Sequence, residues 1–353
     1  MDHFKKLRGL LLLPLILLAG CGTVVLNASG DIAVQQGRLI VVSTVLMLII
    51  IVPVIALTVF FAWRYRESNK DAVYAPDWDH STQLELAIWG APLLIIIALG
   101  AVTWISTHTL DPYRELRRID AQRAIPDDST PLEVQVVALD WKWLFLYPEQ
   151  GIATVNELVA PVDRPIRFKI TSSSVMNSFY IPALAGQIYA MPGMETKLNA
   201  VINVPGEYEG FSANFSGAGF SHMRFKFHGV SHGDFDKWVQ KTKTGGGLLD
   251  RDDYLKLEKP SEKEPVRHYA TVDSDLYDHI LNRCVVDNKM CAKQMAAIDA
   301  AGGMGKPGAF NVASRAINGD DVNGPRRTYV TAICSVNDPV DLPFSSTNTR
   351  QRN

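Results

Sequence analysis

Cysteine is scarce in this chain: four in 353 residues, with no Cys-x-x-Cys pair to suggest a structural zinc site. Excess charge is missing as well. The formal net charge is −2, which excludes the strongly basic surface that binds nucleic acid. The most telling shortage is local. Leu39–Trp63 and Leu86–Thr107 contain no charged residue. Each exceeds the roughly 20 residues that cross a bilayer core as a helix. Pro53 and Pro92 inside them are tolerated in membrane helices. Trp63, Trp89 and Trp104 stand near the ends, as interfacial aromatics do. The reading is a two-helix transmembrane hairpin, helices 39–63 and 86–107, rather than a buried soluble pair. Beyond residue 110 the composition is that of an ordinary soluble domain, so an anchor carries a globular head.

The N-terminus is built as an export signal. Lys5, Lys6 and Arg8 precede an apolar Gly9–Leu18, and Leu18-Ala19-Gly20-Cys21 follows. That ending resembles a bacterial lipoprotein signal over residues 1–20, with Cys21 as the lipidated (palmitate-bearing) first residue of the mature chain; the alternative is a chance cysteine beside an ordinary signal. The loop between the two apolar runs holds Arg64, Arg66 and Lys70, which places it in the cytoplasm. Everything after residue 108 then lies outside. Cys284, Cys291 and Cys334 fall in that exported part. In an oxidising compartment Cys284 and Cys291 form a disulfide or stay free thiols; the sequence leaves both open.

Residues 21–110 thus hold an N-terminal segment and the hairpin, and 111–131 a charged linker with Pro112, Pro126 and Pro131. Strand patterns follow over 132–232. From Val137 to Tyr147 the odd positions Val137, Leu139, Trp141, Trp143, Phe145 and Tyr147 are all large and apolar, the alternation of a single strand with one buried face. Further strand-like runs are Pro165–Thr171, Glu195–Val204 and Ser221–Val230, punctuated by Pro192-Gly193, Pro205-Gly206, Gly217 and Gly219. Short strands with regular turns indicate a β-sandwich. From Gly233 to residue 300 the pattern is helical, in Phe235–Lys241, Arg251–Leu257 and Ser274–Arg283, with a Gly245–Gly247 linker. Residues 301–353 are rich in Gly, Asn, Asp, Pro and Ser, a composition that predicts disorder.

Two segments carry the chemistry: Val175-Met-Asn-Ser-Phe-Tyr-Ile-Pro182, and Gly206 to Met223 with Ser212-Ala-Asn-Phe-Ser216 at its centre. Together they resemble the copper region of subunit II of haem–copper respiratory oxidases. Copper-bearing members have His at Asn177 and Phe220, Cys at Ser212 and Ser216, and Glu at Asn214; here only Met223 keeps a ligand-type side chain. Thiolates and imidazoles suit copper, whereas hydroxyls, amides and a phenyl ring do not. The pattern resembles the quinol-oxidising branch, the cytochrome bo-type ubiquinol oxidases, up to about residue 285. The resemblance implies a membrane-anchored all-β fold: the hairpin, a cupredoxin-like Greek-key sandwich and a C-terminal helical arm. It implies an oxidase subunit in the bacterial inner membrane that assembles with subunit I (and III and IV) in a complex whose substrate is ubiquinol. Haems and copper are then expected in subunit I, no cofactor in this subunit, and no use of cytochrome c.

The remaining candidates are read from their surroundings in the sequence. His222 and His228 share a strand face with Arg224 and Lys226, a solvated face, while Met223, Phe225 and Phe227 face the core; with His232 nearby they lack the partners for a metal site. Trp141 and Trp143 match the aromatic strand that takes up electrons in copper-bearing relatives, but read here as core and interface aromatics. Glu85 precedes Trp89 at the cytoplasmic end of the second helix, where an acid suits the helix dipole after a Ser81 or Thr82 cap. The resemblance implies more, since the family carries a glutamate here at the mouth of a proton channel. His108 at the other end suits the helix C-terminus, and no function is assigned to it. Two rivals are a copper electron-transfer subunit and a lipoprotein that uses its sandwich as a binding module.

Overall fold

The computed structural model describes residues 23–300 except 74, 76 and 128. The signal segment 1–20, Cys21, Cys334 and the tail 301–353 lie outside the described residues.

Two helices come first, α1 (Asp31–Arg64) and α2 (Thr82–Thr109). Both run beyond the uncharged stretches that announced them. The extra first turns of α1 leave the apolar zone and pack on the head, where Asp31, Ala33 and Gly37 are buried. Asp31 tolerates burial because Arg118 forks onto it, with Nε to Oδ2 at 2.9 Å and Nη2 to Oδ1 at 3.0 Å. Gly30, just before the helix, forms a bridge with Ile202. A Cβ there would lie 2.5 Å from the Leu184 carbonyl oxygen, so only glycine fits. By contrast, the apolar windows of both helices have none of their residues buried within this chain. That surface needs lipid or a partner to cover it.

The head contains β1 (Leu132–Leu139), β2 (Lys142–Tyr147), β3 (Ile152–Val155), β4 (Glu157–Pro161), β5 (Ile166–Ser172), β6 (Asn177–Tyr180), β7 (Ile188–Ala190), β8 (Thr196–Ala200), β9 (Gly206–Ser212) and β10 (Arg224–Val230). The arm adds α3 (His232–Gly245), β11 (Gly247–Leu249), α4 (Arg251–Glu258), β12 (Arg267–Val272), α5 (Leu276–Leu281) and α6 (Ala292–Ala300). Among the described residues the strands form a sheet ordered β11-β12-β3-β2-β1-β5-β8 and a second ordered β4-β10-β9-β6-β7. This is the cupredoxin-like sandwich, with β1 parallel to β5 and β4 parallel to β10.

The alternation read as one strand over Val137–Tyr147 is a hairpin. β1 ends at Leu139, Asp140 and Trp141 turn, and Leu139 pairs with Lys142. Across a two-residue turn, opposed residues share a face but differ in parity. Trp143, Phe145 and Tyr147 therefore join Val134, Val136 and Ala138 between the two sheets. Val137 and Leu139 share the outer face with Leu144 and Leu146. Every residue of β2 is buried as a result.

The arm explains that outer face. Leu249, Tyr254, Leu257, Leu276, Tyr277 and Ile280 pack onto it as a second apolar cluster. The arm is helical as expected, and between its helices it also adds two strands, β12 pairing antiparallel with β3 and β11 parallel with β12. The run Glu195–Val204 stops pairing at Ala200 because Ile202 turns to meet Gly30. Ser221–Val230 starts at Arg224, since Phe220–His222 forms a 3-10 turn.

Candidate functional site

The antiparallel pairing of β6 with β9 sets Phe179 opposite Ser212 and brings Asn177 and Ser212 together in the interior. Both are almost fully buried. Ser212 Oγ lies 3.1 Å from Asn177 Oδ1 and 3.2 Å from the Asn214 carbonyl, and it accepts the Ser178 amide at 3.4 Å. Asn177 Nδ2 donates to the Val175 carbonyl at 3.2 Å. Asn214 Nδ2 donates to the carbonyls of Met176 and Phe215, each at 3.2 Å. Ser216 Oγ lies 4.0 Å from the sulfur of the fully buried Met223. The ring of Phe220 packs edge-on against Phe215, with centroids 5.6 Å apart. Each polar group has a neighbour, which is what burial demands of it.

Trp141 roofs this loop. Its backbone is left-handed (φ 68), its indole N–H donates to the Ser216 carbonyl at 3.1 Å, and its ring lies on the backbone of Gly217 and Gly219. A Cβ on Gly219 would come within 2.6 Å of the ring. Trp143 points the other way, into the core against Phe179 and Phe225 at 5.4 and 5.7 Å. The two tryptophans of the Trp-x-Trp segment thus serve different surroundings.

These donors do not fit a pair of copper ions. A bridged copper pair needs soft thiolate and imidazole ligands, whereas this pocket offers hydroxyls, amide groups, a phenyl ring and one thioether. The hydroxyl and the amide nearest each other are already bonded together. The histidines do not rebuild the site: His222 is exposed on the 3-10 turn, His232 opens α3, and His228 lies 3.8 Å from Glu157.

Sequence reasoning missed two polar clusters that fix the arm. Glu157 accepts from Trp238 of α3 at 3.2 Å and meets His268 of β12 at 2.7 Å. Lys142 is buried, and its ammonium donates to the Lys259 carbonyl and to Ser261 Oγ, both at 2.7 Å. Burial pushes its pKa down, with Glu264 and Asp140 pulling the other way. A lysine inside an apolar run was the available signal. The structure joins Cys284 and Cys291 in a disulfide. His279 lies beside them, but sulfurs bonded to each other are not thiolate ligands.

Glu85 stands far along the chain's other limb, in the first turn of α2. It is half-exposed, with His80 Nδ1 2.7 Å from Oε1. Ser81 is the N-cap residue, but its side chain makes no capping bond. At the opposite end His108 Nδ1 lies 2.7 Å from the Trp104 carbonyl.

A two-helix anchor, a cupredoxin-like sandwich and a Trp-x-Trp hairpin whose first tryptophan roofs the loop after β9 define a class, subunit II of haem–copper oxidases. The family described as cytochrome c oxidase subunit II, periplasmic domain, matches residues 132–230, and the one described as COX aromatic rich motif matches 243–288. Cytochrome bo(3) ubiquinol oxidase subunit 2 of Pseudomonas putida is 50% identical over 282 residues, 80% of this chain and 87% of the relative. Ubiquinol oxidase subunit 2 of Acetobacter aceti is 47% identical over 289 residues, 81% of this chain and 92% of the relative. The periplasmic domain of cytochrome oxidase subunit II (CoxB) of Bradyrhizobium japonicum aligns at TM-score 0.31 and 24% identity, over 32% of this chain and 94% of its own. The chain belongs to the ubiquinol oxidase subunit 2 family.

Proposed function

We propose that this chain is the second subunit of a proton-pumping terminal oxidase that passes electrons from ubiquinol to dioxygen, and that it holds no copper pair. The hydrogen-bonded Asn177–Ser212 pair, standing where the copper-bearing members keep His and Cys, carries this reading. Without that copper, a soluble cytochrome c has no electron port on the head. Quinol gives up its electrons within the membrane instead, so the haems and copper of the complex belong to subunit I. This subunit is non-catalytic. Its bare α1–α2 hairpin holds subunit I, with III and IV completing the assembly, and its head covers the outer face. The loop after α1 is cytoplasmic by its Arg64, Arg66 and Lys70, the head is periplasmic, and Cys21 carries the lipid of a processed lipoprotein. Glu85, half-exposed at the cytoplasmic end of α2, gathers protons for subunit I.

The test is oxygen uptake by the purified complex given ubiquinol or reduced cytochrome c. Uptake with quinol alone is expected. Rapid uptake from cytochrome c would overturn the copper-free reading. In the same assay, assembled Glu85→Ala complex should turn over more slowly; an unchanged rate would remove the proton-entry role.

A further inference from the structure

Where the outer ends of α1 and α2 meet the linker, a cavity of about 180 Å³ opens. Gln35, Thr109, Asp111, Arg114, Arg117 and Arg118 contribute to its lining. Both helices are long and apolar enough to cross a bilayer. Their outer ends therefore set this cavity at the depth of lipid headgroups, and exposed Trp104 and Tyr113 flank that level as interfacial aromatics do.

The charges lining it are unequally satisfied. Asp31 is taken by Arg118, and Glu115 by Arg167 at 2.6 Å. Among the described residues the Arg114 side chain donates only to the His108 carbonyl, at 3.2 Å, and that of Arg117 has no partner. Both arginines are exposed. On the acidic side, Asp111 accepts the Tyr113 amide at 2.8 Å and has no cation among the described residues. Arg114, Arg117 and Asp111 thus line one cavity with no ion-pair partner among the described residues. An anion alone would satisfy the arginines and be repelled by Asp111. A group that carries a phosphodiester and an ammonium on one short stem satisfies all three.

We propose that this cavity seats the headgroup of an aminophospholipid of the outer leaflet, phosphate on Arg114 and Arg117 and primary ammonium on Asp111. The proposal rests on the membrane placement given above. The acyl chains would run down beside the uncovered faces of α1 and α2, sealing the anchor into the bilayer.

The test uses the assembled oxidase, extracted in detergent and stripped of loosely held lipid. It is offered dioleoylphosphatidylethanolamine, dioleoylphosphatidylglycerol or inorganic phosphate, and bound molecules are counted by native mass spectrometry. The ethanolamine lipid should be retained over the glycerol lipid, and inorganic phosphate should not displace it. Retention should fall roughly thirty-fold in Arg114→Gln/Arg117→Gln, from the loss of two cations at the membrane surface. Asp111→Asn should hold both lipids alike. Equal retention of the two lipids by the wild type, displacement by phosphate, or an unchanged count in the double variant would each overturn the proposal. So would an empty site in the wild-type complex. Should the double variant fail to assemble, the wild-type preference and Asp111→Asn decide alone. Failure of the membrane placement would show separately, as a chain that leaves the membrane without detergent.

Discussion

Trp141 is held in a left-handed backbone conformation (φ 68) that costs an ordinary residue roughly 1–2 kcal/mol. Its ring repays this by roofing the loop after β9, bonded to the Ser216 carbonyl and packed against Gly217 and Gly219. Gly219→Ala should therefore displace the ring and lower stability by about 1–3 kcal/mol, read as a fall in the denaturation midpoint of the complex. Trp143 behaves differently. It is fully buried, and its indole N–H meets no acceptor among the described residues. Trp143→Phe removes volume, which destabilises, and also removes an unsatisfied donor, which stabilises by about 1–3 kcal/mol. The net change should stay within about 1 kcal/mol, whereas Trp143→Ala should cost about 3–5 kcal/mol. A phenylalanine variant as damaged as the alanine one would contradict this account.

Between elements, the linker is tied to the sandwich by Arg123, whose guanidinium forks onto Asp163 at 2.8 and 2.9 Å; Asn203 adds a bond to the same carboxylate at 3.0 Å. Burial raises the Asp163 pKa, but the Arg123 and Asn203 bonds outweigh it and leave the group below its ordinary value. A carboxylate lowered on folding stabilises the fold above its unfolded pKa, about 3.9, and loses that contribution as pH falls through the folded value. The midpoint difference between wild type and Asp163→Asn should thus be constant above about pH 5 and shrink below about pH 4. A difference that grew on acidification would refute the pairing. The arm has its own clasp. The Cys284–Cys291 disulfide closes a loop with a sequence separation of 7. Chain-entropy arguments give it about 2.5 kcal/mol. Cys284→Ser/Cys291→Ser should loosen α5 and α6 while leaving the sandwich folded, seen as faster amide exchange confined to the last part of the arm.

For the whole molecule, a hairpin that crosses the bilayer twice puts the loop after α1 and the head on opposite faces. In spheroplasts, a cysteine at Ser68 should react with an impermeant maleimide only after the membrane is opened. One at exposed Ser174, on the head, should react at once. The reverse pattern would invert the topology, and with it the roles proposed for Glu85 and for the headgroup cavity.

The sequence by itself determined the anchor, because two long stretches without charge have one stable environment. It also showed which side chains stand at 177, 212, 214, 216 and 220, and that hydroxyl, amide and phenyl groups are not copper ligands, because ligand type is a property of single side chains. The split of Val137–Tyr147 into a hairpin was not legible there. A two-residue turn reverses the parity of the pattern, and large apolar residues on both faces hide the reversal until the arm is seen covering the outer one. The strands β11 and β12 were hidden likewise, being short pieces between helices whose pairing depends on β3, more than a hundred residues earlier for β12. Only the tertiary structure decided that Asn177 and Ser212 bond to each other, that Lys142 reaches Lys259 and Ser261, and that Arg114, Arg117 and Asp111 share one cavity. Such contacts join residues far apart in the chain, and their partners are fixed by packing rather than by local preference.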